Sequence, residues 1–305
     1  MSPSASLPTE RDALTSRVLP QMILSKGDET SLTGPPIPVA TDLNASGRAR
    51  LRFGVQGNAV VTGGAGTLGF AASRALLEHG LSGLMIFDVD PAHGKSKIQA
   101  LQDEFPTAKI CFTKVDITDD IAVSAAIDDT TKTLGSVDIL LCFAGVVNCT
   151  HAIDMTAAEW RRTLDINLTG SFLCAQAAAK QMIKQGTGGS IVFTASISGH
   201  RVNFPQPQLS YNVSKSALLM LKSSLAAEWA RYGIRVNSIS PGYMDTILNE
   251  GDGLAEARAI WASRNPMGRM GTPSELTGAV VLLSSSAGSY ITGTDIVVDG
   301  GQVVF

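Results

Sequence analysis

Tyr211 and Lys215 stand four residues apart in the run SYNVSK, residues 210–215. On a helix that spacing puts both side chains on one face. A phenol beside an ammonium is a proton-transfer pair, because a nearby cation favours the phenolate and pulls the phenol pKa down from about 10. The same spacing would also suit a surface tyrosine next to a lysine, so the surrounding elements must decide. The helical pattern SYNVSKSALLMLKSSLAAEWARYG follows a Val/Ile-rich stretch, GSIVFTAS (189–196), which reads as a buried strand ending at Ser196. Ligands of parallel α/β sheets sit at the carboxyl ends of the strands. Ser196 and Tyr211 can therefore meet there, with Ser198 as a rival for the serine position.

The elements that would hold these residues repeat along the chain. NAVVT (58–62), GLMIFD (83–88), AKICFTKVD (108–116), VDILLCFAG (137–145), GSIVFTAS, IRVNSISPG (234–242) and TDIVVDGG (294–301) are short apolar runs. Most are separated by helical patterns such as LGFAASRALLEHG and AAEWRRTLDINLTGSFLCAQAAAKQMI. Buried strands alternating with helices make βαβ units, and hence an α/β fold with a doubly wound parallel sheet of Rossmann type. The expectation is one domain over residues 53–305, preceded by an N-terminal extension, 1–52. The extension is rich in Pro, Gly, Ser and Thr, lacks a sustained apolar period, and is expected to be partly ordered at best.

Directly after the first strand comes TGGAGTLG (62–69), leading into a helix. Glycines there allow a tight turn and close approach to a pyrophosphate, which rests on the helix N-terminus. The second strand ends at Asp88. A carboxylate at that point can bond both hydroxyls of an adenosine ribose and would repel a 2′-phosphate, which favours NAD and leaves NADP as the alternative. Asp88 could instead cap the following turn, a task for which Asp90 also competes.

Composition sets limits on function. The chain has 305 residues, 17% charged, with a formal net charge of -3. No basic run calls for nucleic acid, and no apolar run reaches the roughly 18 residues of a membrane span. Cys111, Cys142, Cys149 and Cys174 lack CxxC spacing, and Cys111, Cys142 and Cys174, in or beside apolar stretches, read as buried free thiols of a reducing compartment. His79, His93, His151 and His200 lack metal-ligand spacing, so no catalytic metal is expected. The first residues carry no basic start and apolar core of a secretory signal, and the cytoplasm is the expected location.

Taken in order, TGGAGTLG, CFAG, DINLTGSF, SIVFTASISG, YNVSK, RVNSISPG and ITGTDIVVDGG resemble the short-chain dehydrogenase/reductase family from about residue 55 to the C-terminus. The resemblance implies that Tyr211 gives a proton to a carbonyl or takes one from an alcohol. It implies that Lys215 binds the nicotinamide ribose and lowers the Tyr211 pKa, that Ser196 bonds the substrate oxygen, and that Asn167 holds a water linking Lys215 to solvent. Cofactor contacts carried over in the same way fall on Gly63, Thr67, Leu68, Gly69, Asp88, Val89, Asp116, Ile117, Ala144, Gly145, Tyr211, Lys215, Pro241, Gly242 and Thr246. A homotetramer is implied too.

Some positions depart from the family's commonest form. Thr67 stands where the turn usually has glycine, with Gly66 one place earlier. Cys142 and Phe143 replace the two asparagines usual before Ala144 and Gly145. The fifteen-residue step from Ser196 to Tyr211 is slightly long. The stretch TASISGHRVNFPQPQLSYNVSK resembles the fungal polyol branch of the family, and Asn203, Gln206 and Gln208 in its insert either line a site for several hydroxyls or shape a loop or subunit contact. Amides suit a polyol, since a site built to bond OH groups rejects analogues lacking them. The segment 247–270 is expected to form a substrate lid. Its Leu248, Leu254, Ile260, Trp261 and Met267 are apolar, which leaves a ketoreductase for a hydrophobic or acyl ketone as the alternative. A cofactor-binding regulatory protein without turnover would have been favoured had Tyr211 or Lys215 been missing.

Overall fold

The computed structural model describes residues 17–28, 30–36, 42–246, 249 and 251–305. Seven strands form one parallel sheet: β1 (Asn58–Thr62), β2 (Gly83–Asp88), β3 (Lys109–Lys114), β4 (Ile139–Cys142), β5 (Gly189–Thr194), β6 (Ile234–Pro241) and β7 (Asp295–Val298). Their order across the sheet is β3-β2-β1-β4-β5-β6-β7. The chain builds outward from β1 to β3, then returns to the other side of β1 to lay down β4. That reversal opens a crevice at the carboxyl ends of β1 and β4, the usual place for a ligand in an open α/β sheet.

The helices are α1 (Ala45–Phe53), α2 (Thr67–Glu78), α3 (Pro91–Glu104), α4 (Asp120–Leu134), α5 (Ala157–Leu164), α6 (Ser171–Gln185), α7 (Leu209–Trp229), α8 (Ala255–Ser263) and α9 (Thr277–Ser284). They cover both faces of the sheet. Alternate strand residues point to opposite faces: Val60, Leu140 and Cys142 pack with α4, α6 and α7, whereas Ala59, Val61, Ile139 and Leu141 pack with α2, α3 and α9. Both faces being buried is why the strands read as unbroken apolar runs rather than alternating ones. Among the described residues no helix is long and apolar enough to cross a membrane.

One sequence expectation changes in the structure. The pattern from Ala157 to Ile183, which reads as one helical run, is interrupted: between α5 and α6 the chain widens into a π-helical turn, Asp165–Gly170. The extension, expected to be partly ordered at best, holds a helix among its described residues. Asn44 accepts a bond from the Gly47 amide at 2.7 Å and caps α1, which runs across the expected boundary at residue 53. Ser286 donates to the Arg52 carbonyl at 2.8 Å, tying that helix to the segment after α9. Leu32 lies against Gly233, where an added Cβ would come within 2.7 Å of it.

The turn after β1 depends on glycine. Gly63 has φ +62, and a Cβ there would stand 2.6 Å from the Ala144 backbone nitrogen. Its amide donates to the Phe87 carbonyl at 2.8 Å, so three strand ends are drawn together at this residue. Gly63→Ala is expected to cost at least about 2 kcal/mol from left-handed strain and forced backbone displacement. A thermal melt should show the loss, together with weakened dinucleotide binding.

Candidate active site

At the β1/β4 crevice lies a cleft of about 1250 Å³. On its glycine-turn side it is lined by Gly63, Gly66, Thr67, Leu68 and Gly69. Gly66 caps α2 with no side-chain bond to the helix, so the first-turn amides and the positive end of the helix dipole are left for an anion. The departure at Thr67 is thereby accounted for: the glycine falls at the cap and Thr67 is the first helical residue. At Gly69 an added Cβ would stand 2.4 Å from the Gly63 carbonyl oxygen, so the helix can begin this close to the turn only with glycine there.

Asp88 and Val89 line the next stretch of the cleft. The Asp88 carboxylate turns toward the glycine turn, accepting the Ala65 amide at 3.2 Å, and also takes the Val89 amide at 2.8 Å. Asp90 bonds the Ala92 amide at 3.0 Å, and Asp88 also accepts the Asp90 amide at 3.3 Å, so both aspartates serve the following turn. Asp116 and Ile117 form the facing wall. Bonds from the Thr118 amide and hydroxyl hold the Asp116 carboxyl below its usual pKa. The cradle of glycines, the uncapped helix start and the elongated cleft fit a nicotinamide dinucleotide.

Beyond β4 the wall is Phe143, Ala144, Gly145 and Val146. Cys142 points into one core layer and Phe143 packs with the other. Replacing the usual asparagines therefore exchanges two polar side chains for apolar packing. Asn167, in the π-helical turn, is 1% exposed. Its Oδ1 accepts the Val146 amide at 2.8 Å, and its Nδ2 donates to the Val146 carbonyl at 2.9 Å and to Ser214 Oγ at 3.0 Å. The side chain thus clamps the loop after β4 onto α7. π-turns of this kind recur at functional sites.

The proton-transfer pair sits at the far end of the cleft. Ser196, just past the end of β5, is buried; its hydroxyl donates to Ser198 Oγ at 3.1 Å and lies close enough to the Tyr211 phenol to act on its pKa. The long step between Ser196 and Tyr211 is taken up by the loop 200–208, and the two hydroxyls still meet. Lys215, one turn along α7, is also buried; it donates from Nζ to the Thr194 carbonyl at 2.6 Å and stands 5.6 Å from the Tyr211 ring centroid. Burial dominates the electrostatics of both groups. Burial raises the Tyr211 pKa, the Ser196 bond opposes that rise, and the Tyr243 phenol adds to it. Burial likewise brings Lys215 down, to about 8.

Thr246 lines the cleft as well, whereas Pro241 and Gly242 lie at the end of β6 outside its lining. Asn203, Gln206 and Gln208 do not line it either. Asn203 Nδ2 and Gln206 Nε2 each donate to the Tyr243 hydroxyl at 2.9 Å, and Gln208 Nε2 reaches Cys149 Sγ at 3.4 Å. In the lid segment Trp261 is buried and stacked on Tyr243 at 4.3 Å, while Met267 is exposed. Leu248 lies outside the described residues. Tyr243 is the residue that sequence reasoning missed; the only signal was its place directly after SPG at a strand end.

A family model described as enoyl-(acyl carrier protein) reductase, adh_short_C2, matches residues 63–302. The chain belongs to the short-chain dehydrogenase/reductase family. It is similar to an NADP-dependent mannitol dehydrogenase of Hypocrea jecorina, 38% identical over 82% of this chain and 93% of the relative. It is also similar to a D-arabinitol 2-dehydrogenase (ribulose-forming) of Scheffersomyces stipitis, 37% identical over 80% of this chain and 92% of the relative. A short-chain type dehydrogenase/reductase of Mycobacterium marinum superposes with a TM-score of 0.78 at 37% identity, covering 83% of this chain and 98% of that one. The chain is accordingly a nicotinamide-dependent oxidoreductase acting on CH–OH groups.

The pKa directions set a pH profile. A phenol with a raised pKa stays protonated through neutrality, so ketone reduction should be flat there and fall only as the phenol ionises at higher pH. Alcohol oxidation needs the phenolate and should rise with pH over the same range. Initial rates in both directions at matched ionic strength check this, and Tyr211→Phe should lower both by at least about 100-fold.

Proposed function

We propose that this enzyme interconverts a sugar alcohol and its ketose, with Tyr211 carrying the proton and Ser196 bonding the reacting oxygen. The observation that carries the reading is that Tyr211 and Lys215, one turn apart on α7, line the same cleft as the glycine cradle, with the buried Ser196 hydroxyl beside the Tyr211 phenol. A bound nicotinamide supplies the hydride donor or acceptor. The glycine turn, Asp88, Val89, Asp116, Ile117, Ala144, Gly145, Thr246 and Lys215 would hold it. Tyr211 then moves one proton at the substrate oxygen, and Lys215 presents a cation next to that exchange. Asn167 keeps the loop after β4 closed onto α7, and a water held beside it would connect Lys215 to solvent.

The polyol as substrate is supported by the relatives named for mannitol and arabinitol. The hydrophobic-ketone alternative loses its main support, since Trp261 of the lid is engaged by Tyr243 rather than forming an apolar wall of the cleft. NAD is the cofactor favoured by Asp88, whose carboxylate lines the cleft beside the glycine turn, where a 2′-phosphate would meet a like charge. The Hypocrea jecorina relative carries NADP in its name, so this point separates the chain's own residues from its kinship. Residence in the cytoplasm and assembly as a homotetramer belong to the same reading. Ile183 on α6 and Met220 on α7, both exposed apolar side chains, support a subunit contact.

Purified enzyme should reduce NAD with mannitol, arabinitol, sorbitol or xylitol, followed at the reduced-nicotinamide absorbance band. Asp88→Ser should shift the NADP-to-NAD ratio of kcat/KM upward by at least about tenfold, because a like-charge contact is removed. Turnover with NADP alone in the unmodified enzyme would overturn the cofactor assignment, and silence with every polyol would overturn the substrate class.

A further inference from the structure

Ser196 opens a short 3-10 turn, Ile197–Gly199, that ends at His200. The turn is fastened to β6 at both ends. At its entry the Ala195 amide donates to the Ile239 carbonyl at 2.8 Å. At its exit His200 Nε2 lies 3.1 Å from Oγ of Ser240, the next residue of β6, and 3.0 Å from Asp295 Oδ2 on β7. An ionised carboxylate can only accept, so Nε2 carries the proton and shares it between the two oxygens. Asp295 is held in its turn. Its Oδ1 takes the Ser238 hydroxyl, and the Lys222 ammonium, bonded to the Gly293 carbonyl at 2.7 Å, lies within reach of its charge. The anchor is thus fixed independently of His200.

We infer that His200 is a positioning residue for the proton-transfer step, stapling this turn to the sheet so that the Ser196 hydroxyl stays beside Tyr211. The inference rests on the reading that Ser196 bonds the reacting oxygen, and it adds the residue that sets where that hydroxyl stands. One side of the turn is blocked already. An added Cβ on Gly199 would stand 2.9 Å from the Lys215 carbonyl carbon and oxygen, so the turn lies hard against α7. Only displacement away from the helix is open to it, and His200 opposes that displacement. The bonds inside the turn do not: Ser196 Oγ accepts the Ser198 amide at 3.1 Å, and the Gly199 amide donates to the Ser196 carbonyl at 2.9 Å, and both would travel with it. Arg201, the next residue, bonds the Gln302 and Phe305 carbonyls and ties the loop to residues 302–305 instead of the sheet. His200 does not line the cleft, so it acts through Ser196 and not on the substrate.

The test uses the full chain with His200→Leu, which keeps the bulk and loses the donor, and His200→Gln, whose amide nitrogen can take the place of Nε2. With the best polyol among mannitol, arabinitol, sorbitol and xylitol, His200→Leu is expected to lower kcat about tenfold, because a small misplacement of a reacting group weakens the chemical step. KM, and the dissociation constant of reduced nicotinamide read by fluorescence, should stay within about threefold. His200→Gln should recover most of the loss. In a Ser196→Ala background His200→Leu should cost less than about twofold more, since residues that act as a unit are not additive. Ser240→Ala, a milder change that keeps the fold if His200→Leu does not, should show a loss of the same kind of about threefold. In a crystal structure of His200→Leu, Ser196 Oγ should shift by at least about 0.5 Å relative to the Tyr211 hydroxyl. Additive losses in the double variant, cofactor affinity falling as far as kcat, no recovery with glutamine, or an unmoved serine would overturn the inference. Unchanged kcat in Ser196→Ala alone would remove the serine assignment and the inference with it. Silence with every polyol bears on the substrate class, and the position of the serine in the crystal still decides.

Discussion

Lys215 carries an ammonium into the interior and rests it on the backbone carbonyl of Thr194. Much of the site's architecture is organised around that placement. The desolvation that brings its pKa from 10.5 to about 8 corresponds to about 3 kcal/mol against the charged form. A core of ordinary stability can carry such a burden only where the rest of the fold is well paired. Gly145 is kept small beside it: a Cβ there would lie 3.7 Å from Nζ and 3.2 Å from Asn167 Oδ1. β5 contributes the carbonyl, α7 the lysine, and the loop after β4 the cover. The cation therefore ties together three elements that are far apart in sequence.

The same crowding explains the π-helical turn. Asn167 must reach across to Val146 with both ends of its amide while Ser214 approaches from α7. A continuous α-helix through residues 157–185 would carry the side chains along a regular spiral. The wider turn at Asp165–Gly170 moves Asn167 inward. Gly170 follows at a point where an added Cβ would meet Ile117 at 2.7 Å. Local helix regularity gives way here to the requirement that a buried amide have partners for all its polar atoms.

Two opposing electrostatic environments share the cleft. At the cofactor end an uncapped helix start favours negative charge, while the Asp88 carboxylate beside it adds a negative charge of its own. At the chemical end there is little compensating charge, and burial governs both titrating groups, pushing Tyr211 up and Lys215 down.

The sequence by itself determined the sheet and the chemistry at its edge. Strands β1 and β2 begin and end where the apolar runs NAVVT and GLMIFD do, because doubly covered parallel strands must be apolar throughout. The glycine turn, Asp88 and the Tyr211–Lys215 spacing were legible because each depends on local geometry: a tight turn, a strand end, one helix face. β4 proved shorter than its apolar run, since Phe143, Ala144 and Gly145 leave the ladder to wall the cleft. The destinations of Asn203, Gln206 and Trp261 were decided only by tertiary structure. They converge on Tyr243 from positions 40, 37 and 18 residues distant, and no period or motif encodes a meeting between an inserted loop, a lid helix and a strand end. The direction of the Tyr211 and Lys215 shifts was hidden for the same reason, because desolvation depends on what the whole fold packs around a side chain.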